Sequence, residues 1–280
     1  MENINWYPGH MKKTRELIKE NLKLVDAAVE IRDARIPRSS ENPIIDQLTQ
    51  SKPRVVVLNK ADLADKKETQ QWIKHMEQQG ISAIAMNSMR GEGVKNLVTT
   101  LQKLKEKRTG NRATKPFRIM VVGIPNVGKS SLINRLTGHK SAKTGDRPGV
   151  TKGKQWLTMK NGMQLLDTPG ILWPKFEDPK VGLDLAFCGS IKDETMDVVE
   201  LGLALVKLLQ KEYPQLLAAR YKLEQLPEDG VECLTAIAKK RGFIMSGGRI
   251  DYERATKTIL DEFRESKIGN ITLEKVDESR

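Results

Sequence analysis

One junction near the middle of the chain restricts its fold more than any other feature. The apolar run FRIMVV, residues 117–122, leads without a break into Gly123-Ile-Pro-Asn-Val-Gly-Lys-Ser130, and a helical pattern follows from Lys129. A strand, the spacing G-x-x-x-x-G-K-S and a helix, in this order, are typical of a loop whose backbone N–H groups surround phosphate oxygens at a helix N-terminus. The junction therefore predicts a phosphate-binding site.

Within this loop, individual residues have predictable tasks. Lys129 is expected to bridge the β- and γ-phosphates of a nucleotide, and the Ser130 hydroxyl to hold Mg²⁺. Four neighbours in the same loop and helix start complete the predicted phosphate-binding set: Asn126, Val127, Gly128 and Ser131.

A second motif selects the base. Asn59-Lys60-Ala61-Asp62 follows the apolar strand RVVVL, at the edge where α/β sheets bind ligands. The Asp62 carboxylate can accept from guanine N1–H and the exocyclic amine together, a pairing that adenine lacks, and Lys60 can lie along the base. Asn87 and Ser88 follow the run ISAIAM and are expected to supply backbone contacts to the guanine oxygen. These residues favour GTP and disfavour the alternative of an ATPase or kinase.

Two further segments fit a nucleoside triphosphate. Asp167-Thr-Pro-Gly170 follows the run MQLL, so Asp167 is expected to reach the Mg²⁺ shell through water, and the Gly170 N–H to approach the γ-phosphate. Between this segment and the phosphate loop, the Thr151 hydroxyl is predicted to complete the metal shell in the triphosphate state.

The order of elements predicts the architecture. Short apolar runs alternate with helical patterns up to about residue 176, as in a mainly parallel α/β sheet, and long helical patterns follow. The guanine motif precedes the phosphate loop, the reverse of an ordinary small GTPase, which is possible when old termini are joined and a new opening is made. We therefore predict a circularly permuted P-loop GTPase domain over 1–176 and an all-helical domain over 177–280.

The excess of basic residues indicates what kind of large partner the chain binds. Lys and Arg number 48 against 36 Asp and Glu, a net charge of +12, which separates into +16 for residues 1–176 and −4 for the rest. Basic groups at 103–118 and 140–154 indicate a surface for a polyanion. No apolar run of about 18 residues and no secretory signal is present, and the two cysteines lack metal-site spacing. We expect a cytoplasmic protein that does not enter membranes.

At these residues the chain resembles the circularly permuted GTPases of ribosome assembly, most closely the bacterial RbgA/YlqF family. The shared segments are WYPGHM, DARIPRSSENP, NKAD, GIPNVGKSSLINRL, TGDRPGVT, DTPGILWPKFED, AIAKKRG and MSGG. The resemblance implies a GTPase that binds the large ribosomal subunit through ribosomal RNA and proteins, acts late in its assembly, and is a monomer off the ribosome. It also implies an RNA-binding role for the helical domain.

The group that orients the attacking water is not fixed by the motifs. Regulatory GTPases often place a Gln just after D-x-x-G, but here that position is Ile171, which predicts slow hydrolysis unless the ribosome stimulates it. Asn126 resembles the Asn that coordinates K⁺ in potassium-activated GTPases. His10, in the segment WYPGH, is the other candidate for positioning water.

One alternative of another class stays open from the sequence. The chain could act as a GTP-regulated RNA-binding switch in which hydrolysis is incidental. Turnover of GTP with and without large ribosomal subunits separates this alternative from an enzyme whose hydrolysis belongs to the assembly step.

Overall fold

The structure is a computed structural model that describes residues 8–109, 115–138, 156–173, 176–193 and 196–276. Its internal contacts divide the chain into two compact units. The sheet unit comprises Met1–Pro179 together with Thr272–Arg280, and the helical unit comprises Lys180–Ile271. Among the described helices, none combines the length and the apolar character needed to cross a bilayer.

The sheet unit contains a six-stranded sheet in the order β3-β2-β1-β4-β6-β5. Every neighbouring pair is parallel except β5 and β6, which are antiparallel at one edge. This arrangement confirms the predicted mainly parallel α/β fold. The strands are β1 Ala27–Asp33, β2 Arg54–Asn59, β3 Ser82–Ala85, β4 Arg118–Gly123, β5 Trp156–Thr158 and β6 Gln164–Asp167.

The register brings the predicted motifs to one edge of the sheet. Asp33 at the end of β1 lies opposite Asn59 at the end of β2, and Ile31 lies opposite Gly123 at the end of β4. Because parallel strands end at the same edge, the guanine motif after β2 and the phosphate loop after β4 are separated only by β1. The order of these motifs along the chain does not prevent them from forming one site.

Helices of the sheet unit pack against the strands through buried apolar side chains. Asn42 and Asp65 cap the N-termini of α2 and α3 by accepting from backbone N–H groups of the first turn. One apolar cluster joins Met120 and Val122 of β4 to α1, and another joins Val56 and Leu58 of β2 to α3. The helices are α1 Pro8–Leu22, α2 Pro43–Thr49, α3 Lys66–Gln78, α4 Val94–Thr109 and α5 Lys129–Thr137.

The helical unit is built on α7, α9 and α10. Gly202 of α7 lies against Thr256 of α10 so closely that a Cβ at Gly202 would be 2.3 Å from the Thr256 Cβ. Asp251 caps α10 by accepting from Arg254 N. The helices are α6 Pro179–Phe187, α7 Val198–Glu212, α8 Pro214–Tyr221, α9 Gly230–Lys240 and α10 Tyr252–Arg264.

Pro214 is the first residue of α8, where proline is favourable because a backbone N–H at this position would have no partner within the helix. Residues 272–276 lie inside the range 177–280 that is predicted as a helical domain, and their contacts group them with the sheet unit. Their backbone and side chains bond to residues 35–72, as described below.

Candidate nucleotide-binding site

The side chain of Asn59 connects the guanine motif to the phosphate loop. Its amide nitrogen donates to the Val127 carbonyl at 2.7 Å, and its amide oxygen accepts from Ser88 N at 3.0 Å. The Asn59 side chain is buried, so these two bonds supply the partners that its amide nitrogen and oxygen would otherwise find in water. Three predicted segments, after β2, β3 and β4, are therefore held together by one residue.

Gly128 meets a steric requirement set by Asn59. Its φ is +100°, in the left-handed region that favours glycine, and a Cβ would lie 2.3 Å from the Asn59 amide nitrogen. The motif's second glycine is thus needed for backbone conformation and also for the contact between phosphate loop and guanine motif.

Lys129 and Asp167 give the phosphate loop its electrostatic character. The Lys129 ammonium donates to the Ile124 carbonyl at 2.7 Å, and burial lowers the pKa of Lys129 to about 8, an effect that the Asp167 carboxylate partly opposes. Burial likewise raises the pKa of Asp167, against the influence of Lys129 and a backbone bond from Thr168. Each group is partly desolvated and favours a further opposite charge: an anion for Lys129 and a cation for Asp167.

The segment after β6 packs against the phosphate loop. Gly170 lies so near Lys129 and Pro125 that a Cβ there would be 2.8 Å from the Lys129 ammonium nitrogen. Thr168 donates through its hydroxyl to the Val121 carbonyl at 2.6 Å. Ile171 is buried in the apolar cluster beside β4, and its carbonyl accepts from the Asn42 amide at 2.8 Å.

A buried ion-pair cluster lies beside Lys60 and was not predicted from the sequence. The Lys60 ammonium lies 3.0 Å from Asp33 Oδ2, and Arg35 donates to the same carboxylate through Nε and Nη2 at 2.9 and 2.8 Å. Burial alone would raise the pKa of Asp33, but Arg35 and Lys60 hold that pKa far below its ordinary value. The available signal was an Asp and an Arg directly after an apolar run, in the segment DARIP.

Arg135 was missed as well. From α5 it donates through Nε to the Ser88 carbonyl at 3.3 Å and through Nη2 to the Met89 carbonyl. The Asn87 side chain accepts from Met89 N and Arg90 N at 3.0 Å, so it stabilises its own turn. The loop after β3 is therefore fixed by α5, by Asn59 and by an internal turn, which leaves its backbone rigid beside the phosphate loop.

For the other predicted residues, the structure gives only burial or backbone conformation, or does not describe them. Asp62, the last residue of the guanine motif, is half-buried. Asn126 is exposed on the phosphate loop and has a φ of +60°. Ser130 and Ser131 are half-buried at the start of α5. Thr151 lies outside the described residues, and His10 lies in α1 with a side chain that is likewise outside the description.

The chain is similar to several known proteins. A family model described as a 50S ribosome-binding GTPase matches residues 118–232. A Bacillus pumilus protein named Ribosome biogenesis GTPase A is 49% identical over 97% of this chain and 98% of its own length. Two solved structures of YlqF from Thermotoga maritima are similar at 30% identity. The GDP-bound form has a TM-score of 0.68 and covers 93% of this chain and 99% of the solved one. The GNP-bound form has a TM-score of 0.67, with 94% and 98% covered.

The Asn59 contact predicts that Gly128→Ala weakens nucleotide binding. An alanine Cβ at residue 128 would displace the Asn59 amide, and alanine would have to adopt the unfavourable left-handed φ. We therefore expect at least about tenfold weaker GDP binding and a loss of about 2 kcal/mol in the free energy of unfolding. Gly162→Ala is the matched control, because Gly162 has φ +80° with nothing within 4 Å of its Cβ position. Calorimetric GDP titration and thermal unfolding measure both effects. Equal GDP binding by the two variants would contradict the role given to Gly128.

The lowered pKa of Lys129 predicts that binding takes up a proton. Without nucleotide, much of the Lys129 population loses its proton as the pH rises above about 8, whereas a bound phosphate requires the charged ammonium. At pH 8.5 we therefore expect GDP binding to take up most of one proton, and at pH 6.5 almost none from this group. Calorimetry in two buffers of different ionisation enthalpy measures the uptake. A value near zero at pH 8.5 would contradict this assignment.

Proposed function

This chain belongs to the RbgA/YlqF family of circularly permuted ribosome-assembly GTPases, and on that premise we propose that it binds the maturing large (50S) ribosomal subunit. We propose that it promotes a late assembly step and hydrolyses GTP to GDP and phosphate on the particle. Family membership confirms the resemblance found in the motifs, and it makes the chain a GTP hydrolase that acts in ribosome biogenesis. The observation that carries the proposal is the Asn59 side chain, which joins the guanine motif and the phosphate loop into one site.

The site residues fit Mg²⁺ as a cofactor. The proposed donors are the hydroxyls of Ser130 and Thr151 and, through water, the Asp167 carboxylate, and oxygen is the ligand that Mg²⁺ prefers. Burial raises the pKa of Asp167, and a cation beside it would offset that burial. When bound, Mg²⁺ neutralises charge on the β- and γ-phosphates. No cluster of three or more His, Cys, Asp or Glu suited to a metal occurs in the described ranges, consistent with a metal held jointly with nucleotide phosphates.

The burial of Ile171 supports slow hydrolysis by the isolated protein. Ile171 follows Gly170 directly and is 1% exposed, with its side chain in an apolar cluster. An apolar side chain buried in this way does not orient water, so we propose that the missing contribution comes from the ribosomal particle, from K⁺ beside Asn126, or from His10. Asn126 is exposed on the phosphate loop, where a hydrated cation has access.

We assign ribosomal RNA binding to exposed basic groups on both units. On α4 of the sheet unit, Lys103 and Lys107 are exposed, whereas the exposed Arg108 is already paired with Asp26. In the helical unit, Lys239 and Lys240 end α9 and are followed by a short hairpin that is closed by a bond from Met245 N to the Arg249 carbonyl. Arg249 is exposed on this hairpin, next to Ile244 and Met245, which are 53% and 48% exposed.

Charge alone does not assign every basic residue to RNA. Arg241 lies beside Lys239 and Lys240, but it donates to the Glu262 carboxylate, which also accepts from Arg220 and Tyr221. Arg241 is thus already engaged within the helical unit. The segment 140–154, the second basic group of the sequence, lies outside the described residues. We further propose that the protein works in the cytoplasm and is a monomer off the ribosome.

The decisive measurement is GTP turnover with purified large ribosomal subunits. We expect stimulation of about tenfold or more over the isolated protein, with more turnover in K⁺ than in Na⁺ at equal ionic strength. The stimulation should fall as salt rises, because phosphate contacts release counterions, while GDP affinity should change less. Turnover that subunits do not change would contradict the enzyme on the particle and favour a binding switch with incidental hydrolysis.

The same assay tests His10. His10→Ala is expected to bind GTP with unchanged affinity and to lose most of the subunit-stimulated turnover, if the imidazole positions water. Unchanged stimulation would remove His10 from the mechanism and leave the particle or K⁺. Loss of GTP binding would instead indicate a structural role for this residue.

A further inference from the structure

The segment Thr272–Val276, here called the tail segment, lies between the loops that follow β1 and β2. Leu273 N donates to the Arg35 carbonyl at 2.8 Å, in the loop after β1. On the other side, Asp65 N donates to the Thr272 hydroxyl at 3.1 Å, and Trp72 Nε1 donates to the Glu274 carbonyl at 2.9 Å. The tail segment thus joins two loops whose strands end at the candidate guanine site.

The carboxylate of Glu274 fixes the loop after β1. Its oxygens accept from Arg38 N at 2.6 Å, from Ser39 N at 2.9 Å and from the Ser39 hydroxyl. Glu274 is 8% exposed, so these donors stand in place of water. Hydrogen bonds to an ionised carboxylate are stronger than neutral ones, and three of them restrain the backbone at residues 38 and 39.

The same loop reaches the guanine motif through an ion-pair relay. Arg35 is 2% exposed and donates to both oxygens of Asp33, which is itself fully buried. Asp33 Oδ2 in turn lies 3.0 Å from the Lys60 ammonium. Lys60 has φ +58°, a strained value for a residue with a side chain, which persists where surrounding contacts hold it. Glu274 thus holds the loop after β1 at residues 38 and 39, and its neighbour Leu273 bonds to the Arg35 carbonyl. From Arg35 the ion pairs continue through Asp33 to Lys60.

We propose that Glu274 is a positioning residue for guanine binding: it holds the loop after β1 so that Arg35 and Asp33 fix the side chain of Lys60 for the base. Lysine loses much rotamer freedom when it is immobilised by a ligand, and an ion pair formed beforehand reduces that cost. The tail segment, at the far end of the chain from Lys60, therefore sets how long a guanine nucleotide stays bound. This inference rests on the proposed guanine site.

A double-mutant cycle tests the relay. The variants are Glu274→Ala, Lys60→Ala and the pair, and the readout is dissociation of N-methylanthraniloyl GDP chased by excess GDP in a stopped-flow instrument. Glu274→Ala is expected to accelerate dissociation about fivefold in the wild-type chain and less than about twofold in the Lys60→Ala chain. General loosening of the fold would accelerate both to the same degree.

Controls separate positioning from stability. Glu274→Gln keeps the shape of the side chain without its charge, and it is expected to accelerate dissociation in the same direction if the alanine variant does not fold. Glu253→Ala removes an exposed glutamate paired with Lys257 on α10 and is expected to leave dissociation unchanged. Thermal unfolding of each variant accompanies the kinetics.

The outcomes are distinct. Equal acceleration in the two backgrounds, or no acceleration by either Glu274 variant, would overturn the role of Glu274 while leaving the nucleotide site intact. A wild-type chain that failed to retain the labelled GDP would contradict the proposed function itself and, with it, this inference.

Discussion

The buried amide of Asn59 is the contact on which the arrangement of the site depends. It donates to the Val127 carbonyl and accepts from Ser88 N, so the segments after three strands share one side chain. Loss of either bond leaves a buried polar group unpaired, at a cost of about 1 to 3 kcal/mol. The close approach also explains why residue 128 is glycine, since a Cβ there would occupy the position of the amide nitrogen.

The permuted chain order is accommodated because the site depends on spatial neighbours. β1 lies between β2 and β4, and all three are parallel, so their C-terminal ends form one edge regardless of the order in which the chain visits them. The chain leaves the sheet unit at residue 180 and returns at residue 272. Residues 272–274 then contact the loops that follow β1 and β2.

Much of the fold and of the site was predictable because the chemistry requires particular residues at fixed spacing. The loop around Lys129 and the motif at Asn59 are recognisable from their residue types at fixed spacing, and buried parallel strands are recognisable from continuous apolar runs. The segment DARIP signals a charged pair after β1, but its pairing with Lys60, like that of Arg135 with Ser88, arises only from strand and helix packing and was not predictable. Glu274 lies between Leu273 and Lys275 in the run ITLEKV, and glutamates are rarely buried, so its sequence context does not indicate burial.

We expect the edge formed by β1, β2 and β4 to act as a single guanine-nucleotide site. Replacement of Asp62 by Asn tests this arrangement, because an amide can donate to the C2 carbonyl of xanthine but cannot accept from both guanine N–H groups. Asp62→Asn is expected to lose about a hundredfold in GDP affinity and to gain affinity for xanthosine diphosphate, measured by calorimetric titration of both nucleotides. Unchanged GDP affinity, or a loss without any gain for xanthosine diphosphate, would contradict it.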